Sequence, residues 1–182
     1  MKLFLSLGNS ADNAELLKVI NRNLQITLTD TIEDNTYVLV NGPLTELSDM
    51  LIRDYTLADK IEKILLVGGS DSYGDVTPVA EKNIYDDPES AQHVFLSGIP
   101  IVMFGLNVTR ELTNRSLMPL AWLFKPQIFK TDECGVFVET KGKKTRGMTV
   151  TDVYSDKQFD KHYVEMVLDF DWDQYRDLLK HM

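Results

Sequence analysis

The chain has 182 residues, 43% of them hydrophobic, with a formal net charge of −9 at pH 7 and a sequence pI near 4.8. That length builds one α/β domain with a real core and is short for two, while the acidic balance argues against nucleic acid, which needs clustered Lys and Arg. The single cysteine, Cys134, rules out an intrachain disulfide and reads as a strand-buried thiol suited to a reducing cytoplasm.

Lys2–Leu7 is a short apolar run that flows into a polar helix start, so it reads as the first strand and not as a signal peptide. Ser10 or Asp12 caps a helix through Asn21, with Leu16, Leu17, Val19 and Ile20 on its buried side. Leu24–Thr29 is the second strand and Tyr37–Val40 the third. After Gly42-Pro43 comes an amphipathic helix with Leu44, Leu47, Leu51 and Ile52 at helical spacing. Ile64–Val67 is a strand that stops at Gly68-Gly69, where residues without Cβ allow φ > 0 and close backbone approach. A loop carrying Asp75, Glu81 and Asn83 follows, then Asp87-Pro88-Glu89 opens a helix to about Ser97, and Ile99–Phe104 is the next strand. This alternation predicts right-handed crossovers and a doubly wound, mainly parallel sheet, with Gly8, Asn41 and Gly69 at one end of it.

After Thr109 the pattern changes. A helix over Leu117–Phe124 ends before Pro126, and β-type runs follow at Gly135–Thr140, Met148–Val153 and Tyr163–Leu168, expected to include an antiparallel edge hairpin. Lys141, Lys143, Lys144 and Arg146 fall in a hairpin loop and read as a solvated turn. The last helix runs from about Asp171 to Lys180. No run approaches the apolar length of a membrane span. Without repeats or linkers, residues 1–182 are expected to form a single domain.

Open α/β sheets place ligands where loops leave the C-terminal ends of parallel strands, which singles out Asp75, Glu81 and Asn83. Their bland reading is as loop-shaping hydrogen-bond partners, with Asp75 a turn residue. The stretch Gly74-Asp75-Val76-Thr77-Pro78-Val79-Ala80-Glu81-Lys82-Asn83-Ile84, followed by Asp87-Pro88-Glu89-Ser90-Ala91, resembles the signature of the nucleoside hydrolase family. Val38 to Leu47 resembles that family's strand and Gly-Pro-Leu-Thr helix start, and Lys144 to Asp152 its Arg-Gly-x-Thr-Val-x-Asp stretch. The resemblance covers nearly everything from Tyr37 onward. It implies the nucleoside hydrolase fold, cleavage of N-glycosidic bonds of ribonucleosides, and ribose contacts at Glu81 and Asn83, with Asp75 standing where the family has an amide. The usual member is longer, with the difference expected mainly between Asp30 and Tyr37.

The resemblance also implies a calcium ion and an attacking water held by an N-terminal Asp-x-Asp-x-x-x-Asp-Asp run. Here the equivalent stretch is Ser6-Leu7-Gly8-Asn9-Ser10-Ala11-Asp12-Asn13-Ala14, in which only Asp12 keeps its carboxylate and Gly8 falls on the presumed base. Ser6, Gly8, Asp12, Asn13 and Asn41 are thus degenerate metal-site positions, and calcium is predicted absent or weak because its affinity depends on ligand charge. The family's His-Asp pair falls in Asn114 to Trp122, which contains neither residue. His93, His162 and His181 read as solvated or helix-packed. No catalytic residue and no resident cofactor are therefore assigned.

Three function classes stay open. The first is a nucleoside-hydrolase-like protein that binds a nucleoside or ribose-like polyol without the calcium-dependent hydrolysis. The second is an active N-glycosidase with a site rewired from Asp12, Asp71, Asp75 and Glu81. The third is a non-catalytic interaction subunit, with Trp122, Phe124 and Phe129 as contact candidates; a homo-oligomer is expected from this surface.

Overall fold

Strands of Leu, Ile and Val with no polar face must be covered on both sides, which favours a parallel sheet between helices. A computed structural model describes residues 1–9, 12–22, 25–154, 159 and 164–182, leaving the side chain of Asp12 outside the description. The first half runs β1 (Lys2–Leu7), α1 (Asp12–Arg22), β2 (Thr27–Leu28), β3 (Thr36–Asn41), α2 (Thr45–Arg53), β4 (Ile61–Val67), α3 (Lys82–Asp86), α4 (Pro88–Phe95) and β5 (Ile101–Phe104). It continues with α5 (Leu106–Thr109), α6 (Met118–Phe124), β6 (Phe129–Cys134), β7 (Val136–Val138), β8 (Thr149–Thr151), β9 (Val164–Phe170) and α7 (Trp172–His181).

The main sheet has seven strands in the order β2-β1-β3-β4-β5-β9-β6. Every neighbouring pair is parallel except β6 with β9. Its central strands alternate between two cores. Val38, Val40, Ile64, Leu66, Ile101 and Met103 pack with Leu44, Leu47 and Leu51 of the α2 segment and Ala91, Val94 and Phe95 of α4. Leu65, Val102 and Phe104 face the other way, onto Met118 and Ala121 of α6 and Tyr175 of α7, while Leu39 joins Leu16 and Ile20 of α1. The doubly wound α/β architecture expected from the sequence is what the chain adopts.

Several details differ from expectation. Of the strand expected over Leu24–Thr29 only Thr27–Leu28 pairs, and Leu24 lies outside the described residues, as do Ser10, His162 and Tyr163. Leu17 and Ile52 are exposed. In α2 the inward position beside Leu44, Leu47 and Leu51 belongs to Ser48, and the helix ends at Arg53, so Ile52 lies off the packed face. Two helices, α3 and α5, are too short to show periodicity in the sequence.

The C-terminal β-runs also sort differently. The expected antiparallel C-terminal edge is present, but it is β6 on β9, a strand that the sequence marked only through the buried Cys134; β7 and β8 form a separate antiparallel pair, and β9 enters the main sheet parallel to β5. The β6 sequence, FKTDEC, buries only its two ends, Phe129 in the core on one face and Cys134 in the core on the other, around polar residues, so no apolar run or clean alternation marks it as a strand. Phe129 stands edge-on to Phe104, centroids 6.2 Å apart, which removes it from the candidate contact surface. Trp122, under the Lys63 ammonium, and Phe124 are half-buried.

Candidate functional site

From β1 the chain moves outward to β2 and then returns to the other side as β3, so the winding direction reverses between β1 and β3. Such a switch point parts the loops leaving the strands and opens a crevice at their C-terminal ends. Leu7 lies opposite Asn41 and Val40 opposite Leu66, so the residues after β1, β3 and β4 share one end of the sheet. A cleft of about 610 Å³ occupies that end, with Gly8 and Asn9 on one wall, Asn41 and Pro43 on another, and Lys82, Asn83 and Arg115 closing it.

The floor is a contact between two glycines. The Gly8 N–H donates to the Asn41 carbonyl at 2.9 Å. A Cβ on Gly8 would lie 3.0 Å from Gly42 Cα, and one on Gly42 only 2.4 Å from Gly8 N. The close approach of the two segments thus requires glycine at Gly42 and leaves little room for a side chain at Gly8, the position of the family's presumed base. Around it runs a chain of amides: Asn41 Nδ2 donates to Asn13 Oδ1 at 2.7 Å, and Asn13 Nδ2 donates to the Gly8 carbonyl at 2.6 Å. Asn13, Asn41 and Ser6 are buried. Hard divalent cations take clustered carboxylate oxygens, whereas here amide hydrogens face the Gly8 carbonyl. Among the described residues no group of three His, Cys, Asp or Glu side chains converges. These described donors do not fit calcium; the Asp12 carboxylate lies outside the description.

Glu81 caps α3 and is 2% exposed. Its Oε2 accepts from the backbone N–H of Gly69 at 3.1 Å, Asn83 at 2.9 Å and Ile84 at 3.2 Å, tying the exit of β4 to the helix start. Of the expected glycine pair only Gly69 has positive φ, 75°. Glu81 Oε1 is buried without a hydrogen bond. Burial pushes the Glu81 carboxyl up to about 7, against the lowering effects of the Gly69 and Asn83 N–H groups and the Arg115 charge; Asp75 adds to the rise. Asn83 Nδ2 donates to the Val67 carbonyl at 2.8 Å, which fixes the side chain at the cleft wall.

Asp75 is exposed, its Oδ1 accepting the Lys82 N–H at 2.9 Å. Arg115 stands between the two acids, its Nη1 3.7 Å from Glu81 Oε1 and 3.8 Å from Asp75 Oδ2. Of the four acids of the rewired-site expectation, the side chain of Asp12 lies outside the description and Asp71 bonds Ser72 and Tyr154 instead; among the described residues Asp75 and Glu81 flank Arg115. His93 is exposed on α4 with Nδ1 3.0 Å from Ser48 Oγ, and His181 is exposed in the last turn of α7. Of the expected site residues, Gly8, Asn41 and Asn83 line the cleft, with Glu81 behind its wall. Sequence reasoning passed over Arg115 and Lys82. The signal for Arg115 was its place in the stretch that should hold the His-Asp pair.

Residues 7–119 match the family described as inosine-uridine preferring nucleoside hydrolase. The pyrimidine-specific ribonucleoside hydrolase RihA of Salmonella choleraesuis is 37% identical over 159 residues, covering 64% of this chain and 51% of that one. RihA of Shigella flexneri is 35% identical over 195 residues, covering 84% and 62%. The chain therefore spans about half the length of the first of these relatives, 51%. Among solved structures, the plant nucleoside hydrolase PpNRh1 gives a TM-score of 0.70 at 20% identity over 95% of this chain and 66% of that one. The inosine-uridine preferring nucleoside hydrolase from Bacillus anthracis gives 0.67 at 20% identity over 96% and 65%. At that identity the structural likeness is one of fold.

Proposed function

Because this chain belongs to the inosine-uridine preferring nucleoside hydrolase family, we propose that it binds a nucleoside or ribose-like polyol in its cleft, without the calcium-dependent hydrolysis that the family resemblance implies. The observation that carries this is the amide chain Asn41–Asn13–Gly8, closed over the Gly8–Gly42 contact where carboxylates and a base should stand. Asn83 at the wall supplies a hydrogen-bonding amide suited to hydroxyls, and Glu81 behind it braces that wall through the N–H groups of Gly69, Asn83 and Ile84. The test is release of reducing sugar from inosine and uridine, with calcium and with chelator, beside a thermal-shift titration with the same compounds. No family-like turnover is expected, while a ligand at about a hundred times its Kd raises stability by about 2.7 kcal/mol. Chelator-sensitive turnover refutes the proposal.

A second reading, an N-glycosidase with a rewired site, is supported by one observation: Glu81, with its carboxyl near 7, can hold a proton at neutral pH as a general acid does. It demands chelator-resistant turnover that declines as pH rises through about 7 and disappears in Glu81→Gln. The interaction-subunit reading retains Trp122 and Phe124 as its contact; sedimentation at high concentration tests it, a strict monomer counting against it. The buried thiol of Cys134 supports placing the protein in a reducing cytoplasm. Among the described residues no helix is long and apolar enough to cross a membrane.

A further inference from the structure

The cleft wall carries a cation whose hydrogen-bonding capacity is unused. Arg115 is 25% exposed, and among the described residues its guanidinium meets acids only at 3.7 and 3.8 Å, beyond hydrogen-bond reach. A guanidinium has five N–H donors in a rigid fork. Behind it, Glu81 Oε1 is fully buried and also without a hydrogen bond. Attraction to Glu81 and Asp75 thus anchors Arg115 without consuming its donors, leaving them available to an acceptor that enters the cleft.

Charge decides what kind of acceptor. Around Arg115 and Lys82 stand Asp75, Glu81 and Asp86, and Lys82 is already engaged by Asp86 at 2.7 Å. Even with Glu81 protonated, Asp86 and Asp75 match Lys82 and Arg115, so the cations have no surplus to offer a phosphate or carboxylate. Neutral hydroxyl or ring oxygens fit, because they accept from a guanidinium without adding a third negative partner to it. The amides of Asn9 and Asn83 on the facing walls suit the same uncharged chemistry.

We infer that Arg115 is a ligand-binding residue that holds an oxygen of an uncharged ribosyl or polyol ligand and supplies the positive charge of this cleft, so that binding needs no metal ion. This rests on the ribosyl-binding reading above and adds to it the contact residue, metal independence and rejection of phosphorylated forms.

The experiment is calorimetric titration of the full chain with D-ribose, inosine and ribose 5-phosphate, in metal-stripped buffer with chelator and again with calcium, for the unmodified protein, Arg115→Met and Arg115→Lys. Ribose or inosine is expected to bind equally with and without chelator, and ribose 5-phosphate more weakly. Arg115→Met should lose roughly ten- to hundredfold in affinity, the scale of one charged hydrogen bond, with its melting temperature nearly unchanged. Arg115→Lys, which keeps the charge and loses the fork, should bind several-fold more weakly and carries the test if the Met variant does not fold. Binding that requires calcium, an Arg115→Met affinity equal to the unmodified protein's, or tighter binding of the phosphate overturns the inference while leaving ribosyl binding standing. No binding of ribose or inosine under either condition refutes both.

Discussion

Replacing Glu81 by Gln should change how stability depends on pH more than how large it is at any one pH. The Glu81 carboxyl rises from its ordinary 4.5 to about 7, burial being the main cause. Between those values the folded chain holds more protons at this position than the unfolded chain does. Its contribution to stability is therefore full below pH 4.5 and is lost as pH rises through about 7. The gap corresponds to about 3 kcal/mol, most of which falls between pH 5 and pH 8. Gln keeps an oxygen for the N–H groups of Gly69, Asn83 and Ile84 but does not titrate. Other carboxylates cancel when the two proteins are compared at each pH. Urea unfolding of both at pH 5 and pH 8 should show the variant gaining about 2–3 kcal/mol relative to the unmodified protein at the higher pH, roughly 5–10 °C in melting temperature for a chain of this size. A stability difference that stays constant within about 0.5 kcal/mol across that range would refute the claim that Glu81 is buried without adequate charge compensation.

Gly42→Ala should destabilise by about 1–3 kcal/mol in denaturant unfolding, since its Cβ lands 2.4 Å from Gly8 N; Gly8→Asp, the natural way to restore an acid, meets Gly42 Cα at 3.0 Å and should lose stability as well. Asn41→Leu takes the donor from Asn13 Oδ1 and should cost about 1–3 kcal/mol, read by the same unfolding midpoint. Arg146→Ala breaks a bidentate pair with Glu89 at 2.5 and 2.7 Å, but both side chains are exposed and solvent screens the pair, so the melting temperature should hardly move.

The sheet was legible because burial on both faces writes itself into composition: Val38, Leu39, Val40 and Ile64 to Val67 have no polar alternation, and only a doubly covered parallel sheet accommodates such runs. The cap at Asp87, the turn at Gly69 and the signature from Gly74 to Ile84 were legible because local backbone chemistry restricts the residue types there. The bounds of the edge strand β6 were not, since a lightly covered edge tolerates exposed Lys130, Asp132 and Glu133 between the buried Phe129 and Cys134. Nor was the site's working arrangement. That Gly42 is glycine because Gly8 presses on it, that Asn13 and Asn41 bond each other 28 residues apart, and that Arg115 reaches Glu81 and Asp75 from a distant turn are consequences of strand order. Residue identity alone told which polar groups this chain keeps and which acids it has lost. Tertiary packing decided which of them meet, because burial and distance set the charge of Glu81 and the availability of Arg115.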